Sequence, residues 1–369
     1  MYSESDIEIA VATGAITPAA AAALRDSVAR SRQAPSVDEE SFRLITGFND
    51  IFVTIAAILL LVAVGWIGFS LFGPPQDASG AQADQMIAHG VAVAGALVAA
   101  ASWGLAEYFT GRRRMALPSI VLLGAFVYAI AAASFGSAMS LVGAPHDAGR
   151  IVAGIAAGVG LLTAGAAYLH WRRFHVPITI AALTAALVVT LLALLLWAVP
   201  EAKDSLLWLL LAAGVGVFTF AMWWDMSDRV RQTRRSDVAF WLHLAAAPMI
   251  AHSVFNLLGV MTNAVTAATG LIVILLYVAF GIVALAVDRR ALLVSSLAYV
   301  LYALAGLFKQ AGAVSLNVAL TALVIGSALL LLSAFWHGVR RIVVTALPGE
   351  LQARLPALDR PVLATPRPA

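Results

Sequence analysis

The chain has 369 residues, of which 62% are hydrophobic and 12% charged, with a formal net charge of +3 and no cysteine. A soluble domain carries about 25% charged and about 45–50% apolar residues. This composition therefore excludes an ordinary water-soluble globule and calls for a bilayer as the surrounding solvent. The small charge, with arginines spread over many short segments, gives no nucleic-acid-binding face. Without cysteine there is no disulfide, thiolate metal centre, c-type haem attachment or thiol nucleophile.

The opening MYSESDIEIA is polar and acidic. It lacks the basic and short apolar regions of a cleaved signal, so the first span, starting near Ile51, is expected to act as an uncleaved insertion signal. Ser3 with Asp6 reads as a capping box. Ile7, Ala10 and Val11 form a short apolar stripe, and Gly14 is a C-terminal stop. Thr17 then caps a second helix with Pro18 at its first position, and Ala20, Ala23, Leu24 and Val28 continue its apolar face. Residues 1–34 are thus expected to be a small cytoplasmic helical hairpin, which could dock a protein partner. Residues 35–50 read as a linker and an interfacial helix. Ser36 with Glu39 caps that helix, and Phe42, Ile45 and Phe48 lie on its membrane side.

From Ile51 onward the apolar runs predict ten spans: 51–72, 86–109, 115–141, 150–169, 176–199, 205–224, 238–258, 266–287, 291–308 and 314–336. Each approaches the ~20 residues that cross a ~30 Å hydrocarbon layer. Twenty of the 23 Lys and Arg residues fall in segments that would lie inside. Only Arg150, Lys203 and Lys309 fall outside, an alternation that follows the positive-inside rule. The expected fold class is therefore all-α, a polytopic transmembrane bundle over residues 51–337. A cytoplasmic Pro-rich tail, 338–369, follows it, and both termini are cytoplasmic. Ten spans divide into two sets of five with opposite starting sides, a design common among transporters, although the halves share no residue-level similarity.

Two segments, VATGAITPAAAAALRDSVA (11–29) and FNDIFVTIAAILLLVAVGWIGF (48–69), resemble the start of a family of uncharacterised bacterial inner-membrane proteins. That family is a domain of unknown function with an N-terminal helical hairpin followed by many spans. The resemblance covers roughly the first seventy residues. It implies a bacterial inner-membrane location and supplies no catalytic residue.

Polar side chains that persist within a bilayer mark packing or function. Span seven is the most polar. At about 100° per residue, Trp241, Pro248, His252 and Asn256 share one sector. Pro248 leaves the Leu244 carbonyl without its helical donor. His252, Asn256 and Trp241 are therefore the candidate substrate-binding residues, expected to face the bundle interior beside the Pro248 break. The competing reading makes His252 an interhelical bond. His89 and Glu107, eighteen residues apart on one face of span two, are the candidates for a proton path. Being near the interfaces, both side chains can also simply reach water. Gly154 and Gly158 form a GxxxG packing motif in span four, and Ala212 with Gly216 a similar pair in span six. His170 and His175 read as interfacial. Asp225, Asp228, Arg229 and Arg231 through Arg235 read as a solvated inner loop that sets topology.

No phosphate-binding GxxxxGK[ST], HExxH or GxSxG motif occurs. No catalytic residue, metal or cofactor is expected. The leading expectation is a non-enzymatic inner-membrane protein whose partners are the bilayer and a protein at the hairpin. The alternative is a secondary transporter of a small solute with its site near span seven.

Overall fold

A computed structural model of the chain describes residues 10–24, 48–75, 78–142, 148–229, 231, 233–259, 266–310 and 317–358. The Ser3 and Ser36 capping boxes, the interfacial helix before Phe48 and the last eleven residues lie outside them. The chain divides into two units, residues 1–46 and 47–369. In the first, residues 10–12 and 18–24 are helical. Gly14 turns between them at φ +73°, and the Thr17 hydroxyl accepts the Ala20 N–H at 3.1 Å. The stop and the cap therefore lie where glycine's freedom and a short hydroxyl side chain put them.

The second unit is built of helices. In chain order they are α1 (Phe48–Phe72), α2 (Gly80–Ala106), α3 (Ala116–Val142), α4 (Ala148–Phe174), α5 (Ile178–Ala198), α6 (Leu206–Met226) and α7 (Arg234–Leu257). They continue with α8 (Ala267–Val287), α9 (Ala291–Gln310), α10 (Asn317–Ala334), α11 (Trp336–Thr345) and α12 (Gly349–Gln352). Among the described residues the unit has no strand, and it is an all-α, multi-pass membrane bundle. Helices α1 to α8 are each long and apolar enough to cross a membrane alone. The apolar stretch of α9, Leu292–Phe308, is shorter. The α10 helix qualifies only together with α11, from which it is bent by 74°. The sequence reading carries span ten straight to residue 336 and places only a tail beyond. The structure instead bends the chain at Phe335 and folds residues 336–352 into two helices. The bend follows from amphipathicity, because Trp336, Arg340 and Val344 line one face of α11 and are buried, which lays this helix across the end of the bundle.

Backbone polar groups have no water to bond inside a bilayer, so the apolar runs close their hydrogen bonds within each helix. Embedded hydroxyls do the same. Thr54, Ser134, Thr190 and Ser296 each donate to the carbonyl four residues earlier, Asp50, Ile130, Ala186 and Leu292. With apolar lipid all round, helix pairing rests on close approach of small residues. In the α2–α3 pair, a β-carbon on Gly136 would lie 2.6 Å from the Ala88 oxygen, and one on Gly95 would lie 2.7 Å from the Ala133 nitrogen. Between α4 and α5 a β-carbon on Gly154 would meet Trp197 at 3.0 Å, whereas Gly158 faces open space. The tightest approach on α4 belongs to Gly160, whose β-carbon would lie 2.5 Å from the Thr190 hydroxyl. The α4 seam is thus Ala157, Gly160, Ala164 and Ala167, spaced three and four apart, and the GxxxG pair only grazes it. On α6 the close approach is likewise at Gly214, against Met249 and Ile250 at 3.0 Å, and Gly216 is open.

The second half is organised around α7, the most buried span. One stretch of it packs with Ile180, Ala181, Val217 and Ala221 from α5 and α6. Another packs with Val273, Val300, Ala303 and Ile325 from α8, α9 and α10. Among the described residues four non-glycine residues take left-handed backbone: Arg114, His175, Arg231 and Asp288. One lies in each of the α2–α3, α4–α5, α6–α7 and α8–α9 connections, so these four turns share one end of the bundle. That is the end where the arginines concentrate.

Gly136→Ala should lower thermal stability in detergent by about 1–3 kcal/mol, the usual effect of overpacking. Gly158→Ala, facing open space, should leave stability unchanged or raise it by up to about 1 kcal/mol through helix propensity. Thermal unfolding of the two variants side by side tests the assignment of the seams.

Candidate functional site: a buried ion network

A charge near the base of a membrane bundle must find fixed partners, because leaving it unpaired costs several kcal/mol. At the arginine-rich end of the second half, two carboxylates, three guanidinium groups and an imidazole meet. Asp225 closes the last turn of α6 and is 1% exposed. Its Oδ1 accepts from Arg289 Nη2 at 2.5 Å and its Oδ2 from Arg289 Nε at 3.3 Å, a two-pronged grip. His243, on α7, meets Oδ2 through Nε2 at 2.9 Å. A carboxylate only accepts, so Nε2 carries the proton and the buried Nδ1 has no bonding partner among the described residues. Arg289 uses Nη2 again on the Ser236 carbonyl at 3.0 Å.

Asp288 holds the second node. It follows α8 in left-handed backbone, φ 59° and ψ 47°. Glycine would adopt that conformation without penalty, but here the carboxylate itself is needed. Oδ1 accepts the Trp336 indole N–H at 2.7 Å and Oδ2 accepts Arg231 Nη1 at 2.7 Å. Arg340 Nε lies 3.5 Å from Oδ1. Arg231 also donates to the Val287 and Asp288 carbonyls, both at 3.1 Å. Burial pulls the Arg231 guanidinium below its ordinary pKa. The nearby Arg289 pushes it the same way, while Asp288 opposes the shift. Arg340 then reaches beyond the helices to the carbonyls of Pro356 and Ala357, at 2.8 and 3.4 Å. Arg229 similarly holds Leu355 and Gln352 through their carbonyls, at 2.9 and 3.3 Å. The segment after α11 is therefore pinned to the end of the bundle, with Leu355 buried beside Val287 and Val344.

The sequence reading treats Asp225 and Arg231 as members of a solvated loop; the structure buries both. Charge alone cannot separate a topology-setting arginine from a paired one. The available signal was the position of Asp225 inside the last turn of an apolar helix, eighteen residues before His243.

The other sequence-predicted residues lie elsewhere. His252 is exposed, and its Nδ1 meets the Tyr299 hydroxyl at 2.9 Å. Asn256 donates to the His252 carbonyl at 2.9 Å. Pro248 and His252 line a groove of about 360 Å³ with Leu210, Met249, Ser295 and Tyr299. Trp241 packs away from this groove, with the α5–α6 cluster. The interior side of α7 belongs instead to Leu242, His243, Ala246, Ala247 and Phe255.

His89 is exposed with its ring 6.5 Å from that of Phe72. Glu107 begins a π-helical turn, Glu107–Arg112, and pairs with Arg173 of α4 through bonds of 3.0 and 2.5 Å. Eighteen residues of helix hold the two about 27 Å apart, and the structure does not bring them together. His170 is fully buried, boxed by the rings of Trp103, Phe126 and Phe174, with its Nδ1 3.4 Å from the Thr179 hydroxyl. Among the described residues no three His, Asp or Glu side chains gather where they could hold a metal ion. No protein-family model, curated protein or solved structure matches the chain.

Asp288→Gly separates backbone from charge. It keeps the left-handed turn and relieves roughly 1–2 kcal/mol of strain, but strands Arg231 and the Trp336 N–H. Removing one partner of a buried pair costs about 3–5 kcal/mol, so the variant should unfold at a clearly lower temperature. Stability equal to or above wild type would show that the carboxylate does not hold the node.

Proposed function

We propose that this multi-pass membrane protein is a non-enzymatic organiser of cytoplasmic elements in a bacterial inner membrane, with both termini inside. One observation carries the reading. The buried ionisable groups at the arginine-rich end of the second half bind one another and the backbone of the segment after α11. Arg289 and His243 saturate Asp225, Arg231 and Trp336 engage Asp288, and Arg340 and Arg229 clamp residues 352–357. Such a network fixes geometry. Its outer rim, Arg234, Arg235 and Arg354, is exposed and suits an acidic protein surface. The N-terminal hairpin is the second element this reading assigns to a protein partner.

The groove beside Pro248 favours a second reading, a secondary transporter, because His252 and Tyr299 place a hydrogen-bonding pair on a wall about 360 Å³ in extent. The two readings separate in vesicles. Purified protein reconstituted with a pH gradient should dissipate it no faster than protein-free vesicles if the organiser reading holds. Dissipation well above that background, abolished by His252→Ala while thermal stability stays within about 0.6–2 kcal/mol of wild type, would establish the transporter.

A further inference from the structure

At the same end of the bundle, α9 and α10 run antiparallel and leave a groove of about 130 Å³ between them. Its walls are Arg290, Leu293, Val294 and Leu297 on α9 and the start of its first turn, facing Leu329, Leu332, Ser333 and Trp336 on and just beyond α10. Arg290, Leu293, Val294 and Leu297 follow the spacing i, i+3, i+4, i+7 of one helical face, Leu329, Leu332 and Ser333 on α10 follow i, i+3, i+4, and Trp336 completes the second wall from the start of α11. Because the helices are antiparallel, Arg290 opposes Trp336 at one end and Leu297 opposes Leu329 at the other. Seven residues of rise separate these ends by about 10 Å. The groove therefore has a cation at its mouth and only alkyl side chains at its depth.

We infer that this groove is a binding site for an anionic phospholipid of the inner leaflet, its phosphate at Arg290 and the upper part of an acyl chain between α9 and α10. The Arg290 guanidinium carbon lies 4.9 Å over the Trp336 ring, and Trp336 is itself held by its N–H bond to Asp288. The cation is thus placed on a fixed aromatic surface at the depth where indoles sit in membrane interfaces. The 74° bend after α10 turns the chain aside at this point and opens the mouth. Val294 is 64% exposed on the bilayer-facing wall, so a chain can enter sideways from the lipid. A soluble anion would find the charge but gain nothing from the alkyl depth. A zwitterionic lipid would fill the depth but bring its own cation to Arg290. Basic pockets between spans on the cytoplasmic side are an established setting for anionic head groups.

The test uses the full-length protein in neutral detergent, with native mass spectrometry counting bound lipid and a thermal shift on the same samples. Phosphatidylglycerol should stay bound and raise the unfolding temperature, whereas phosphatidylcholine and inorganic phosphate should do neither. Arg290→Gln should weaken phosphatidylglycerol binding about fivefold, the value of one basic residue near an anionic surface. Arg290→Lys should retain most of it. Val294→Trp, which fills the groove from its exposed wall, should abolish retention while the lipid-free unfolding temperature stays near wild type. The assignment is overturned if both Arg290→Gln and Val294→Trp bind phosphatidylglycerol as wild type does. It is equally overturned if phosphatidylcholine or phosphate alone reproduces the effect.

Discussion

A carboxylate at the foot of a membrane bundle stays ionised only if donors surround it and cannot leave. Asp225 meets that condition with three bonds, two from Arg289 and one from His243. Its partners come from different parts of the chain. Asp225 closes α6, His243 lies inside α7 and Arg289 lies in the connection after α8, so the ion pair and the His243 bond together fix the relative height of three helices. The Ser236 carbonyl, held by the same guanidinium, ties down the first turn of α7. Asp288 is the next residue back from Arg289 and carries the order outward to Trp336 and Arg340. Arg340 passes it to the carbonyls after residue 355. Replacing such a network with apolar groups of equal volume often leaves stability unchanged or higher. Removing a single member is expensive. The network therefore acts mainly as a device for geometry.

Both halves of the bundle pack closely, with Gly214 of the second half set against Met249 and Ile250, and they differ chiefly at the arginine-rich end. In the first half, backbones approach closely at glycine and alanine: Gly136 against Ala88 and Ala92, Gly95 against Ala129 and Ala133, and Gly160 against Thr190. Dispersion between packed surfaces supplies that cohesion. In the second half α7 gathers α5, α6, α8, α9 and α10 round an apolar centre, and charges lock the arginine-rich end. Glu107 with Arg173 is the first half's nearest counterpart, but that pair is substantially exposed and contributes little to stability. The proposed organising role and the lipid site both follow from the locked end, since Trp336 belongs to the Asp288 node and to the wall of the lipid groove.

Eight of the ten expected spans are legible in the sequence because a bilayer imposes one length and one composition on a helix that crosses it, whereas the ninth is a shorter apolar stretch and the tenth qualifies only with the helix it is bent from. Gly14 and Thr17 are legible for a local reason, since the turn and the cap depend on a few neighbouring atoms. The ion network is not legible that way. The Asp225–Arg231 stretch, Asp288 with Arg289, and Arg340 are far apart in sequence, and their burial depends on which helix ends converge. The bend before Trp336 is hidden similarly, because an apolar run ending in Trp reads as a straight span until α11 finds a surface to bury against. The α4 motif shows the limit of pattern matching. Gly154 and Gly158 have the right spacing, but the face that α5 covers is set by Ala157, Gly160 and Ala164. For α7, periodicity puts Trp241, Pro248, His252 and Asn256 in one sector, but it cannot say that Pro248 and His252 line a groove while Trp241 packs with the α5–α6 cluster and His243 is buried.

The central claim is that Asp225 and Arg289 together hold the end of the bundle, and a double-mutant comparison of unfolding free energy in detergent tests it most directly. Asp225→Asn should lower stability by about 3–5 kcal/mol, since Arg289 is left buried without its counter-charge. Adding Arg289→Met to that variant should recover a substantial part of the loss, because the stranded charge is then gone and the two sites couple. Asp225→Asn within about 0.5 kcal/mol of wild type, or a double variant showing simple additivity, would contradict the account.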